Sequence, residues 1–238
     1  MKNSIYSRRP SVGRKALVGL MAAGVAATVL NTVAGTASMA LDREDGDYVT
    51  EDRDLTGFTR LQVRGAIELE LTAGKDYSVS IRTREGRMQD VTTEIDGDTL
   101  VIDMDDGRRR RSWWDDTNVD VTITMPTLAE LEVLGAVDGE LFDIDSDDIE
   151  IDVRGAADVE IEGKCRNLTV DVKGAGDIDA DDLKCENVEV DVKGAGSASV
   201  YASESIDARV SGVASISVYG DLKDVRKHAG GLSSISIK

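Results

Sequence analysis

Counted from a glycine that recurs at positions 135, 155, 174, 194 and 212, charged and hydroxyl side chains fall at fixed offsets. Five residues before the glycine stand Glu130, Glu150, Thr169, Glu189 and Asp207; three before it, Glu132, Asp152, Asp171, Asp191 and Arg209; one before it, Leu134, Arg154, Lys173, Lys193 and Ser211. Three residues after it come Asp138, Asp158, Asp177, Ser197 and Ser215, and five after it Glu140, Glu160, Asp179, Ser199 and Ser217. If the copies stack as strands, each offset becomes a column with one rung every ~4.8 Å. Carboxylates at that spacing offer the oxygen ligands that Ca²⁺ takes. The plainer outcome is a solvated acidic face relieved by diagonal contacts with the Lys/Arg column, because the Gly-Gly-x-Gly-x-Asp nonapeptide of calcium-binding repeats is absent. No resident cofactor is expected. The two columns after the glycine switch together from acid to serine. Ser197, Ser199, Ser215 and Ser217 therefore lie on a hydroxyl-rich strand face, which is either ordinary exterior or a surface for sugar or protein contact.

The segment Arg108-Arg109-Arg110-Arg111-Ser112-Trp113-Trp114 stands apart in so acidic a chain, flanked by Asp105, Asp106, Asp115 and Asp116. Guanidinium and indole groups together can grip an anionic or sugar ligand by charge and stacking. Equally, the arginines can pair with the chain's own acids while the tryptophans close a core. Cys165 and Cys185 each precede their glycine by nine residues, which puts them at equivalent points of neighbouring copies and within disulfide reach. An oxidising compartment joins cysteines so placed, and two thiols without a nearby histidine do not make a zinc site. Catalysis finds little here. His228 is the single histidine, no Ser or Cys has a recognisable base, and P-loop, dinucleotide and HExxH motifs are missing. Carboxylate pairs of the glycosidase type are numerous, but nothing singles out one pair. The expectation is a non-enzyme, with a polysaccharide-degrading enzyme as the weakest of three readings.

The elements that position these columns follow from the apolar residues. Leu168, Val170 and Val172 precede Gly174, and Ala175, Ile178 and Ala180 follow it; Val188, Val190 and Val192 precede Gly194, with Ala195, Ala198 and Val200 after; Ile206, Ala208 and Val210 precede Gly212, with Val213, Ile216 and Val218 after. Period two before the glycine means strands with one buried face. The glycine supplies either a positive φ or a close approach at a corner. An early copy, Val63-Arg64-Gly65-Ala66, and a late one, Ala229-Gly230-Gly231-Leu232, extend the series. Stacked coils of about 19–20 residues bury a continuous apolar column. The expected fold is therefore all-β, a single-domain parallel β-helix, with the right-handed form preferred because the aliphatic residues alternate within strands instead of recurring every six. Residues 73–128 break the pattern but still read as strands at 76–82, 91–95, 99–104 and 119–125, with Asp96-Gly97-Asp98 as a hairpin turn. They are expected to form irregular coils or a cap, with regular coils over 129–238. The last coil, ending in Ile235 and Ile237, is expected to leave an edge able to pair with another copy.

The first forty residues contain Lys2, Arg8, Arg9, Arg14 and Lys15 and no acid, then an apolar stretch from Ala16 to Val33 and small residues up to Ala40. That is a signal peptide pattern, with cleavage expected after Ala40. Ser7-Arg8-Arg9 suits either a general or a twin-arginine route; an uncleaved segment would instead anchor the chain in the membrane. Removing residues 1–40 takes five of the 28 basic residues and none of the 46 acids, which leaves a net charge of −23. Such a surface excludes nucleic acid as a partner and repels anionic lipid. Residues 41–54 read as an acidic linker, and 55–238 as one domain.

The repeated Val-x-Gly-Ala-Gly units, the start Gly57-Phe58-Thr59-Arg60-Leu61-Gln62-Val63 and the segment Val121-Thr122-Ile123-Thr124-Met125-Pro126 resemble the bacterial auto-transporter adhesin, head GIN domain family over about residues 55–238. The resemblance implies a β-helical domain of the periplasm, outer envelope or cell surface, without known chemistry. Nothing in the sequence resembles a membrane-spanning barrel. Two readings follow: an exported module binding glycan or an envelope or surface protein, and a structural protein that assembles through its C-terminal coil edge.

Overall fold

The computed structural model describes residues 47–104 and 119–238. The expected signal peptide and the Arg108–Trp114 segment lie outside the described residues. The fold is all-β, as the alternation requires. Among the described residues thirteen strands form one sheet: β1 (Tyr48–Arg53), β2 (Arg60–Arg64), β3 (Ala66–Thr72), β4 (Ser78–Arg84), β5 (Val91–Asp96), β6 (Thr99–Met104), β7 (Asp120–Thr124), β8 (Glu130–Val133), β9 (Ala136–Val153), β10 (Ala156–Val172), β11 (Ala175–Tyr219), β12 (Asp224–Gly231) and β13 (Ser234–Ile237).

From β8 onward every pairing is parallel and joins one copy of the repeat to the next: Leu131↔Ile151, Ile151↔Val170, Val170↔Val190. The first copy obeys the same rule, because β2 and β3 pair in parallel with β8 and β9, setting Leu61 beside Leu131 and Leu69 beside Gly139. On their other edges β2 and β3 pair with β6 and β7, also in parallel. Residues 73–128 therefore loop out, add a rung on the far side of the first copy, and return. The expected uniform parallel β-helix does not describe the whole molecule. β5 lies antiparallel on β6, β4 on β7 and β1 on β4. The sheet is curled, mixed and open, with the antiparallel strands β1 and β5 at the two ends of its strand order, away from β12. β1 falls inside the stretch expected as linker; Arg82 sits 4.5 Å over the Tyr48 ring and helps hold it. The expected hairpin turn at Gly97, with φ 65°, joins β5 to β6.

The core is the inner face of this curl. Before the glycine, the positions two, four and six residues upstream are buried in the copies of Gly155, Gly174, Gly194 and Gly212, for example Val172, Val170 and Leu168. After it, the buried positions are two, four and six residues downstream, as in Val137, Gly139 and Leu141. Ala175, Ala195 and Val213, expected inward, point outward; Val213 is 64% exposed. The glycine corner keeps the strict alternation in phase, so the residue directly after it faces solvent. Phe58, fully buried, closes the capped end with its ring 4.9 Å from Tyr77, whose hydroxyl donates to the Phe58 carbonyl at 3.0 Å.

The corner itself depends on close approach. A Cβ at Gly135, Gly155, Gly174 or Gly194 would lie 1.9–2.0 Å from the carbonyl oxygen of the glycine one copy earlier. That carbonyl accepts from the residue after the glycine, as in Ala156 N to Gly135 O at 2.9 Å and Ala175 N to Gly155 O at 3.0 Å. Side chains would part the backbones and break this run of bonds.

Candidate binding face

Two outward faces flank the glycine corner, and their charge is arranged differently. On the face before it, most of the acids have partners. Arg154 bridges Asp152 at 2.7 Å and Glu132 at 2.9 Å, Lys173 holds Asp171 at 2.8 Å, Lys193 holds Asp191, and Arg209 joins Glu189 and Asp207, each at 2.6 Å. Arg60 reaches Glu130 at 2.7 Å. A basic residue one position before the glycine lies two residues from an acid on the same side of its strand, so the ion pairs form within a coil as well as between coils. The hydrogen bond from each cation stabilises its charged form: Asp152 raises Arg154, Asp171 raises Lys173, and Glu189 raises Arg209 above their ordinary values.

On the face after the glycine, no such pairing exists among the described residues. Glu68, Asp138, Asp158 and Asp177 form one column and Glu70, Glu140, Glu160 and Asp179 the next, with register partners aligned rung on rung. All eight are exposed, and none makes an ion pair with a described residue. Ser197 donates to Asp177 at 2.5 Å where the column changes from acid to hydroxyl. Beside the acids runs a floor of small residues, Ala66, Ala136, Ala156 and Ala175. Floor and acids line an open groove of about 470 Å³ that Val119 borders. A second hollow of about 500 Å³, lined by Glu68, Glu70, Asp138, Glu140 and Asp120, continues it toward β4. The carboxylates stand apart at coil spacing. Among the described residues, no group of three or more His, Cys, Asp or Glu side chains converges on a metal-sized point.

Further along the axis the same face changes character. Ser197, Ser199, Ser215 and Ser217 are half-buried, with Tyr201 and Tyr219 two positions beyond the second serine column. Lys184 lies 4.4 Å over the Tyr201 ring and Lys238 4.8 Å over Tyr219. The outward residue directly after the glycine grows from alanine to Val213 and then Leu232, the latter 83% exposed. An anionic, small-floored half thus meets a hydroxyl, tyrosyl and aliphatic half on one continuous strand surface.

Seven residues before the glycine runs a ladder that sequence reasoning missed. Asn167 donates to Asp148 at 2.7 Å, Asn187 to Asn167 at 3.1 Å, and Ser205 to Asn187 at 2.7 Å. The shared offset of Asp148, Asn167, Asn187 and Ser205 from their glycines was a sufficient signal. Two residues earlier, Cys165 and Cys185 are register partners and form a disulfide with Cα atoms 4.5 Å apart. These features belong to the stacking of coils. Arg108–Arg111, Trp113 and Trp114 lie outside the described residues; of the residues that flank them, Met104 lies against Gly65 and Val119 beside the groove. His228 is exposed on β12, in register with Arg209, away from the acid columns.

Burial raises Glu160, and the neighbouring Asp179, Glu162 and Glu140 add to it; burial likewise raises Asp181, followed by Asp179 and Asp182. Burial also raises Glu130, against the opposing pull of Arg60. A carboxyl whose folded pKa exceeds its unfolded value favours folding when protonated. Its contribution is complete below the ordinary carboxyl range and is lost as pH rises through the raised value. The urea midpoint is therefore expected to rise between pH 7.5 and pH 5 at low salt. Glu160→Gln should raise the midpoint at pH 7.5 and flatten the profile, and ~0.5 M salt should compress both effects. A midpoint that falls steadily over that interval would contradict this charge assignment.

Among curated proteins, none matches this chain. Solved structures share its fold. A "putative adhesin" from Bacteroides fragilis is 23% identical, with a TM-score of 0.65 over 81% of this chain and 97% of that one. Another "putative adhesin", from Parabacteroides merdae, is 15% identical with a TM-score of 0.49, covering 82% of this chain and 97% of that one. Among the described residues no helix is long and apolar enough to cross a membrane. A family model matches residues 57–221, from the strand that starts the first copy to the end of the long β11, and on that match this chain belongs to the family described as "Putative auto-transporter adhesin, head GIN domain".

Proposed function

We propose that this chain is an exported, non-enzymatic binding protein of the bacterial envelope or surface, and that it meets its partner with the strand face after the glycine. The observation that carries this reading is the contrast between the two faces: most acids before the glycine are neutralised by the chain's own Arg and Lys, and the eight after it are left to solvent, four of them lining a groove. Unpaired like charges on adjacent rungs cost stability, so a sequence that relieves one face and not the other keeps the second available for a partner. The acidic half suits cationic groups of a protein. The half carrying Ser197, Ser199, Ser215, Ser217, Tyr201 and Tyr219 suits glycan, whose hydroxyls bond to serine and whose C–H faces rest on tyrosine. The regular coils over 129–238 are read as a right-handed parallel β-helix that makes this face flat and long, and cleavage after Ala40 releases it from the export machinery. Arg108–Arg111 with Trp113 and Trp114 is a second contact place on the same reading, from residue type alone.

The test is position-specific crosslinking in intact cells. Photoreactive side chains placed at Glu160 and at Ser217 should capture the same partner, whereas one at Glu189, paired with Arg209 on the neutralised face, should not. Equal capture from all three positions, or none from Glu160 and Ser217, rejects the assignment of the face. Replacing Trp113 and Trp114 by alanine should weaken capture; unchanged capture removes that segment from the site.

A further inference from the structure

The inward position four residues before each glycine holds Leu61, Leu131, Ile151, Val170, Val190 and Ala208, all buried to within 1%. In the last coil the register continues, Ala208↔Lys227, so the next inward residue is a lysine. Its neighbours keep to the apolar rule: Val225 aligns with Ile206 and Ala229 with Val210 on β12, and Ile235 with Ile216 and Ile237 with Val218 on β13. Among the described residues β12 and β13 pair only with β11, and their outer edges are unpaired. Val225 and Ile237 are 42% and 39% exposed there. This edge would invite another strand were it not for the single charge in the middle of its apolar row.

We propose that Lys227 is a guard residue that prevents this edge from pairing with a second copy. A coil stacked on β12 would enclose the ammonium group in the continued column, where an unpaired charge is strongly disfavoured; inward-pointing charge is a known defence of sheet edges. Above the small Ala208 the lysine stem can cover the column while its charged end stays in water. At the opposite end β1, β4 and β5 lie antiparallel on their neighbours, so a coil added head to tail finds no parallel rung to continue. The pairing open to two copies is tail to tail about a two-fold axis. In that arrangement two copies of Lys227 enter one shared core, which doubles the obstacle. The working form is therefore a monomer that leaves its long face free.

Light scattering across a concentration series tests this on the whole chain. The wild type should keep a monomer mass throughout. Lys227→Val should associate at least ~100-fold more tightly and stop at a dimer, with no filaments; adding Ile235→Asp should reverse it. Lys227→Glu should be monomeric alone and form a heterodimer when mixed with wild type. A wild type that dimerises through this edge overturns the proposal, as does a folded Lys227→Val that remains monomeric. If Lys227→Val loses its strand signal in circular dichroism, the mixture of Lys227→Glu with wild type decides: a heterodimer supports the guard role, and two separate monomers overturn it.

Discussion

Gly174→Ala is expected to lose about 4 kcal/mol of stability or more, enough to unfold much of the chain at 37 °C given the narrow margin of ordinary domains. The added methyl would sit 2.0 Å from the Gly155 carbonyl oxygen. That atom belongs to the backbone of the neighbouring coil and accepts the Ala175 N–H at 3.0 Å, so it cannot move without giving up the bond. Nor can one coil shift alone, because Gly194 in turn places its absent Cβ 1.9 Å from the Gly174 oxygen. The strain is thus passed up the stack. Gly230→Ala provides the control: nothing lies within 4 Å of its Cβ position, and the change should stay within ~0.5 kcal/mol. Thermal or urea unfolding followed by circular dichroism separates the two. If both variants unfold with the wild type, close packing at the corner is not what fixes this glycine, and some other requirement must be found.

That corner also shows how far the fold could be read from residues alone. Alternation at Leu168, Val170 and Val172 fixes which side of the strand is buried, since only one phase puts every aliphatic residue inside. The spacing of the glycines then implies the stack. What alternation could not resolve is the phase just after the glycine. Alanine is small enough to sit on either side, so Ala175 was assigned inward although Gly176 is the residue that turns in. The rung order was hidden for a different reason. Gly65 is the neighbour of Gly135, with residues 73–128 leaving and returning between them, and nothing local in either copy records that a chain makes that excursion. Alternation at 76–82 and 91–95 marks strands there, but it does not record that β4 and β5 pair antiparallel or that β1 adds to β4. Charge distribution was legible in principle. Arg154, Lys173 and Arg209 stand two residues from acids on their own face, and no Lys or Arg occupies the third or fifth position after any of the five regular glycines. Seeing the consequence needed the two faces to be separated by the corner.

The columns suggest a division of labour within each coil. Inward aliphatics and the glycine corner set the stack; the Asn167–Asn187 ladder and the disulfide reinforce the turn opposite the corner; the neutralised face adds only weak, solvent-screened ion pairs. The face after the glycine contributes none of these and carries an electrostatic cost. A surface relieved of structural duty can vary in chemistry along the axis, from carboxylate to serine and tyrosine, without disturbing the backbone beneath. This independence is why changes at Glu160 or Ser217 can report on binding without first being discounted as folding defects.

Removing the disulfide is the second change expected to act strongly. Cys165 and Cys185 are separated by 20 residues and are 9% and 1% exposed. Closing a loop of that length restricts the unfolded chain by roughly 3 kcal/mol. The same offset in neighbouring coils is filled by serine: Ser146 donates to the Leu128 carbonyl at 2.6 Å and Ser203 to the Cys185 carbonyl at 3.4 Å. The position therefore accommodates a hydroxyl and gives it a backbone acceptor in the preceding coil. Cys165→Ser with Cys185→Ser should fold and lose about 3 kcal/mol, whereas the corresponding double alanine variant should lose about 1 kcal/mol more, for want of those bonds. Reduction of the native chain should be slow, because the buried sulfurs are reached only when the coils open; unfolding in urea should expose them to the same reductant at once. Equal urea midpoints for the oxidised chain and the double serine variant would show that the stack is held by its apolar column alone, and that the bridge constrains an ensemble already compact before folding.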